Sequence, residues 1–262
     1  MEIKSPAGKL GVLLPGMGAV ASTLIAGIEA IKLNLAKPIG SMTEMGTIRL
    51  GKRTDDRVPK IREFVPLEKI ESLVFGGWDI NQENLHEICV RSGVLEKSLL
   101  DSVKSPLESI EVWPAAFDKK FVRRLEGNHI KSATNKRELV EQVTNDIQTF
   151  INEKQTSSNV MIWRGSTEIF FEPSEVHSSL KKFEKGLTNN DPDISPSMIY
   201  AYASLKLGIP YANGSPNLSV DIPALQELAI KTSTPIAGKD FKTGQTLMKT
   251  IIAPGLKARQ IG

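Results

Sequence analysis

Two groups of residues in this 262-residue chain have the types and spacing that chemistry needs. The first lies in Leu10-Gly11-Val12-Leu13-Leu14-Pro15-Gly16-Met17-Gly18-Ala19-Val20-Ala21-Ser22-Thr23-Leu24, where Gly16, Gly18 and Ala21 fit G-x-G-x-x-G/A. In that pattern the first glycine makes a tight turn and the second lets a pyrophosphate touch the backbone. The third small residue lets a helix pack closely on a strand. An apolar run precedes the turn and a helix-like pattern follows it, so the free N–H groups of the helix start would face the phosphates of a dinucleotide. The second group is Asp240, Lys242 and Lys249. The lysines stand two helical turns apart and share one face. They form either a solvated basic stripe or a pair that holds a phosphate and stabilises a developing oxyanion.

Three further positions carry two readings each. Asp79 ends the run Ser72-Leu73-Val74-Phe75-Gly76-Gly77-Trp78. It either accepts hydrogen bonds from a ribose or caps the helix that follows, and it lies much further from the glycine turn than the usual ~20 residues. In Trp163-Arg164-Gly165-Ser166-Thr167-Glu168, the small hydroxyl residues Ser166 and Thr167 either approach a nicotinamide ribose or close a capped turn. Asn213-Gly214-Ser215-Pro216 offers an amide, a hydroxyl and a pliable backbone, or is a plain β-turn. His86, His129 and His177 are scattered and make no metal-binding spacing. No nucleophile elbow, H-E-x-x-H or P-loop pattern occurs.

These residues need a scaffold, and the periodicity predicts one. Strands are expected at Leu10–Leu14, Ser72–Asp79, Ile110–Pro114, Asn159–Trp163 and Pro235–Gly238. Helices are expected at Ala19–Asn34, Asn84–Arg91, Glu96–Val103, Lys136–Glu153, Ser174–Lys185, Met198–Leu207, Pro223–Thr232 and Thr243–Ile252. Strands alternating with helices imply an α/β fold with a parallel sheet and helices on both faces. Residues 35–60 read as an irregular surface excursion, Tyr211–Pro216 as a polar turn, and Leu256–Gly262 as the start of a strand. A strand there would leave an open edge, the mark of a chain cut short.

Composition excludes several classes. Thirty-three Lys and Arg against 30 Asp and Glu leave a net charge of +3, too small an excess to argue for nucleic acid or an anionic membrane. The lone Cys89 excludes an intrachain disulfide framework and fits a reducing compartment. The first residues have no signal-peptide core, and the apolar stretch from Leu10 to Ile31 is broken by Pro15, Gly16, Gly18, Gly27 and Glu29. The cytoplasm is the expected location.

Several blocks, in order over nearly the whole chain, resemble the myo-inositol-1-phosphate synthase family. Gly16–Leu24 looks like its NAD loop and Gly77-Trp78-Asp79-Ile80 like its G-W-D-I segment. Trp163–Phe170 is similar to its W-x-x-x-T-E-x-F stretch. Ser195–Ser204 and Asn213–Pro216 match consecutive family blocks, and Gly238–Thr246 resembles G-D-D-x-K-S-G-Q-T with Lys239 in place of the first aspartate. The resemblance implies a Rossmann-type NAD-binding domain over residues 1–208 and the start of a catalytic and tetramerisation domain over 209–262. It implies that Gly16, Gly18, Ala19, Val20, Ser22, Asp79, Ser166, Thr167, Asn213, Gly214, Ser215 and Asp240 bind NAD, and that Lys242, Lys249 and Asp240 serve catalysis; no metal-ligating residues are identified. The implied substrate is glucose 6-phosphate. Its C5 would be oxidised, C6 deprotonated and closed onto C1, and C5 reduced again, giving an inositol phosphate with no net redox change. The family continues beyond the Lys242–Lys249 helix with further active-site residues. The alternatives are a non-catalytic NAD-binding or assembly module and an NAD-dependent sugar-phosphate dehydrogenase, which would place a histidine beside the nicotinamide.

Overall fold

The computed structural model describes residues 7–241 and 246–260. Its centre is β1 (Lys9–Pro15), whose neighbours are both distant in sequence: β2 (Leu73–Asp79) on one side and β4 (Thr156–Trp163) on the other. With β3 (Val112–Pro114), β5 (Tyr211–Asn213) and β6 (Ile236–Ala237) they form one parallel sheet in the order β3-β2-β1-β4-β5-β6. That order reverses direction at β1, as in the doubly wound dinucleotide folds.

Burial on both faces explains why β1 is apolar from Leu10 onward rather than alternating. Val12 and Leu14 join a cluster with Phe75, Ile25, Leu85, Leu100 and Leu107. Phe75 comes from β2, and the others are brought by α1 (Ala19–Lys32), α4 (Leu85–Ser92), α5 (Lys97–Ser102) and α6 (Lys104–Glu108). Leu13 points the other way, into a larger cluster with Trp78, Met161, Phe150 and Tyr200. There the covering helices are α7 (Lys136–Lys154), α8 (Leu180–Thr188), α9 (Pro196–Lys206) and α10 (Pro223–Thr232). Along α7 the inward stripe is Val140, Val143, Ile147 and Phe150, at helical spacing, with Leu139 only partly covered. Asn135 starts that helix by accepting from the Glu138 amide at 3.0 Å. Helix α9 is buried from Pro196 to Leu205 and lies beneath the carboxyl ends of the strands.

The segment between α1 and β2 is irregular, holding the short helices α2 (Met42–Met45) and α3 (Ile61–Phe64) and two 3-10 turns, Arg53–Asp55 and Ile70–Ser72. It lengthens the loop from the glycine turn to Asp79 without altering the strand order. Two expectations fail. Tyr211–Asn213 is strand β5, not turn, because Tyr211 is buried in the larger cluster and the segment pairs with β4. Leu256 lies within α11 (Thr246–Ala258), so no terminal strand begins there and the open-edge argument lapses. The boundary expected after residue 208 falls inside the continuous sheet, which runs on through β5 and β6. Among the described residues no helix is long and apolar enough to cross a membrane.

Phe150 is fully buried and meets Trp113 edge-on, with ring centroids 6.1 Å apart. Phe150→Ala should therefore cost ~3–5 kcal/mol, read as a lower urea midpoint with an unchanged slope.

Candidate functional site

A cavity of about 250 Å³ opens at the carboxyl ends of β1 to β4. Its wall begins at the turn after β1. Gly16 has φ +93, where a side chain is strained, and a Cβ there would collide with the Gly165 backbone after β4. The turn is held from both sides: the Gly16 amide donates to the Trp78 carbonyl at 2.8 Å, and the Arg164 amide donates to the Pro15 carbonyl at 2.8 Å. At Gly18, the N-cap of α1, the requirement differs. Its φ is ordinary, and a Cβ would meet nothing within 4 Å, because that space is the cavity itself. No side chain caps α1 and no acid occupies its first turn, so the helix start is open to an anion. Ala21 is buried against the sheet, the close packing the pattern asks of its third small residue.

Asp79 stands on the next strand, its Oδ1 accepting from the Asn81 backbone amide at 3.0 Å and from the Asn81 side-chain amide at 3.3 Å. Its two readings are separated by α4, which is capped by Asn84: Asn84 Oδ1 accepts from the Glu87 amide at 3.0 Å, and Glu87 Oε2 accepts from the Asn84 amide at 3.0 Å. Asp79 is not the cap of that helix, and it lines the cavity. Burial raises its pKa, while the bonds from Asn81 and the nearby Arg91 favour its charged form. Arg91 also lines the cavity and is held by Glu83 through Nη2 at 2.7 Å.

The other candidates divide. Ala19 lines the cavity and Val20 is exposed beside it on the first turn of α1. Ser22 does not face it: its side chain is fully buried, its hydroxyl donates to the Ala19 carbonyl at 3.2 Å, and it is bonded to Cys89. Ser166 lines the cavity, whereas Thr167 is exposed outside its lining. Asn213 is 2% exposed, with Nδ2 donating to the Asn217 carbonyl at 2.7 Å and Oδ1 accepting from the Ser215 amide at 3.0 Å. Its amide is committed to the loop it starts. Ser215 Oγ donates to the Gly165 carbonyl at 3.0 Å, and the Gly214 amide to the Trp163 carbonyl at 3.1 Å. These residues brace the Gly165 backbone from behind rather than lining the cavity. The Asp240 amide donates to the Asn213 carbonyl at 3.2 Å, which brings the Lys239–Phe241 segment beside the same loop. Lys242 lies outside the described residues. Lys249 is exposed on α11 and is not in the cavity wall, whose cations among the described residues are Arg91 and Arg164.

Several residues were missed from sequence. The segment after β3 supplies Ala115, Phe117, Val122 and Leu125, an apolar wall facing Ile80 on the Asp79 side. Tyr200 rises from α9, its hydroxyl accepting from the Ala116 amide at 2.9 Å. The Arg164 guanidinium lies over the Phe241 ring at 4.8 Å, and burial lowers its pKa. Glu168 is 2% exposed and accepts from the Ser197 amide at 2.8 Å, the Ser197 hydroxyl at 2.6 Å and Asn217 Nδ2 at 3.1 Å. Acids and arginines at these points look like ordinary loop charge in sequence, and only the fold aims them inward. None of the three histidines lines the cavity; His129 bonds the Asp79 carbonyl at 3.2 Å and His177 the Asp193 carbonyl at 3.1 Å. Among the described residues no group of three or more His, Cys, Asp and Glu is placed to hold a metal.

The arrangement fits a dinucleotide: an uncapped helix start under a Cβ-free cradle, a carboxylate on the adjacent strand, and an apolar wall beyond it. The NAD-binding sequence model described as myo-inositol-1-phosphate synthase matches residues 10–256. Inositol-3-phosphate synthase 1 of Bacteroides thetaiotaomicron is 45% identical over 263 residues, covering 100% of this chain and 61% of that protein. The rice enzyme of the same name is 33% identical over 93% of this chain and 51% of its own length. The crystal structure of inositol-3-phosphate synthase from Caenorhabditis elegans superposes with a TM-score of 0.87 at 27% identity, covering 97% of this chain and 53% of that one. This chain thus spans about half to three-fifths of the relatives it matches. A match over almost all of its residues places the chain in the myo-inositol-1-phosphate synthase family, as the carrier of that family's NAD-binding domain.

Proposed function

We propose that this chain is the NAD-binding part of an inositol-3-phosphate synthase, an isomerase that converts D-glucose 6-phosphate to 1D-myo-inositol 3-phosphate. The observation that carries the reading is the Gly18 cradle with Asp79 beside it, in a chain 45% identical to a named synthase. When bound, NAD supplies a hydride acceptor and later a hydride donor, so the sugar returns to its starting oxidation state. The α1 amides hold its diphosphate, and Asp79 accepts from a ribose hydroxyl. Ser166 faces the nicotinamide side. Trp163, Tyr200 and the Ala115–Leu125 wall exclude water from the ring systems.

Negative charge develops on the C5 oxygen and later on the C1 oxygen of the sugar. Lys242 and Lys249 are the proposed cations for those oxygens, with Asp240 orienting a lysine or the nicotinamide. Each well-placed contact of this kind is worth ~3–4 kcal/mol of barrier. Assembly into a homo-oligomer, a tetramer by family resemblance, and a cytoplasmic location belong to the same proposal. The competing reading is an NAD-binding module without turnover. It is favoured by the cavity wall, whose cations among the described residues are arginines rather than lysines.

Three outcomes test the reading. Gly18→Val should leave the thermal midpoint within a few degrees, because the side chain enters open space, yet weaken NAD binding by about tenfold or more in calorimetry, because that space is the phosphate's. Asp79→Ala should weaken NAD binding ~10–100-fold, the worth of a hydrogen bond to a charged group. In a longer protein that carries this chain together with the further active-site residues of the family, glucose 6-phosphate and a trace of NAD should give inositol phosphate without net NADH, and Lys242→Ala should lower kcat roughly 100-fold. Tight NAD binding with no turnover would select the module instead, and steady NADH release would select a dehydrogenase.

A further inference from the structure

Glu168 has no part in the reading above, yet its placement is unusual. It belongs to the segment after β4 and contributes to the cavity wall while almost wholly buried. Three donors converge on its carboxylate: the Ser197 amide and hydroxyl from the first turn of α9, and Asn217 Nδ2 from the loop after β5. Bonds of this kind favour the ionised carboxylate, and so does the positive end of a helix whose N-cap, Ser195, makes no side-chain cap of its own. When it is ionised, a buried carboxylate in a cavity wall projects its charge through a medium that screens it poorly.

The direction in which that charge points follows from the topology. Asp79, at the end of β2, marks the adenosine half of the crevice. A dinucleotide crosses such a sheet at the reversal point, so its second half lies over the β4 side. That side is built by Arg164, Gly165, Ser166 and Glu168. The nicotinamide ring carries a positive charge when oxidised and none when reduced, while the diphosphate is the same in both forms.

We infer that Glu168 is a positioning residue whose charge makes this crevice prefer oxidised over reduced NAD, a preference that rests on the NAD reading above. The family reaction needs hydride to leave the sugar first, so holding the cofactor oxidised between turnovers keeps the protein ready for its substrate. The charge is adjustable. Burial pushes the Glu168 pKa up to about 7, against the hydrogen bonds from Ser197 and Ser195, and the like charge of Asp118 pushes it further in the same direction. Tyr211 of β5 faces it as well and is held neutral by its own burial and by Glu168. Oxidised NAD therefore draws a proton off neutral Glu168 into solvent on binding, whereas reduced NAD does not.

The test is the affinity for each cofactor form, measured by calorimetry at about pH 6 and about pH 8.5. In the unaltered protein the ratio of NAD⁺ to NADH affinity should rise roughly tenfold between the two, the size of one poorly screened charge contact. In Glu168→Gln, which keeps the shape and removes the charge, the ratio should be flat and NADH binding nearly unchanged. A merely structural role would shift both affinities together and would leave their ratio unmoved. If Glu168→Gln does not fold, Ser197→Ala removes one donor to the carboxylate and should move the midpoint of the same rise to higher pH. A pH-independent ratio in the unaltered protein overturns the proposal, as does a rise that survives Glu168→Gln or a midpoint that Ser197→Ala leaves in place. Failure of either form to bind at all would instead sink the cofactor reading, and the proposal with it.

Discussion

Strand β1 pairs in parallel with β2 on one side and β4 on the other, and everything functional here depends on that double pairing. Parallel neighbours require crossover connections, and crossovers from a shared central strand leave toward opposite faces. Helices therefore diverge at the carboxyl end of β1, and the sheet cannot close over that point. The gap is preserved by what lines it: glycine at 16 and 165, where side chains would fill or strain the junction, and backbone bonds from Arg164 to Pro15 and from Gly16 to Trp78 that fix its width. The Asn213–Ser215 loop then buttresses Gly165 from behind.

The same economy governs the polar groups. Asn84 and Glu87 cap α4 between themselves, which leaves Asp79 turned to the cavity instead of being consumed by the nearest helix. On the far side the reverse holds, for Glu168 satisfies the first turn of α9 and meets the cavity only with its remaining exposure. One carboxylate is left largely to the cavity, and the other is shared between the cavity and the scaffold. Their environments differ accordingly, although burial raises both pKa values.

How much of this was legible beforehand depends on range. The glycine turn, the helix after it and the strands expected at Ser72–Asp79 and Asn159–Trp163 rest on local patterns, and the fold agrees with them, although β4 begins earlier, at Thr156. Asp79 reaches the cavity wall despite its long separation from the turn, because an irregular insertion between α1 and β2 stretches the chain without changing which strands are adjacent. Ser22 and Asn213 mislead for the opposite reason. Both sit beside the right residues in sequence, but the helix phase turns Ser22 into the core, and its own loop takes up the Asn213 amide. Strand β5 was read as a turn because three residues are too few for alternation to register. Glu168, Arg164, Tyr200 and the wall after β3 converge only through long-range packing, which no window of sequence contains.

Ser22, turned away from the cavity, has a consequence of its own. It lies on α1 beside the single thiol of the chain, Cys89, which is buried on α4, and that burial favours the unreactive protonated form. An alkylating reagent can reach that sulfur only when the two helices part. The rate at which this one site becomes labelled is thus a native gauge of how often the half of the molecule behind the glycine turn breathes open.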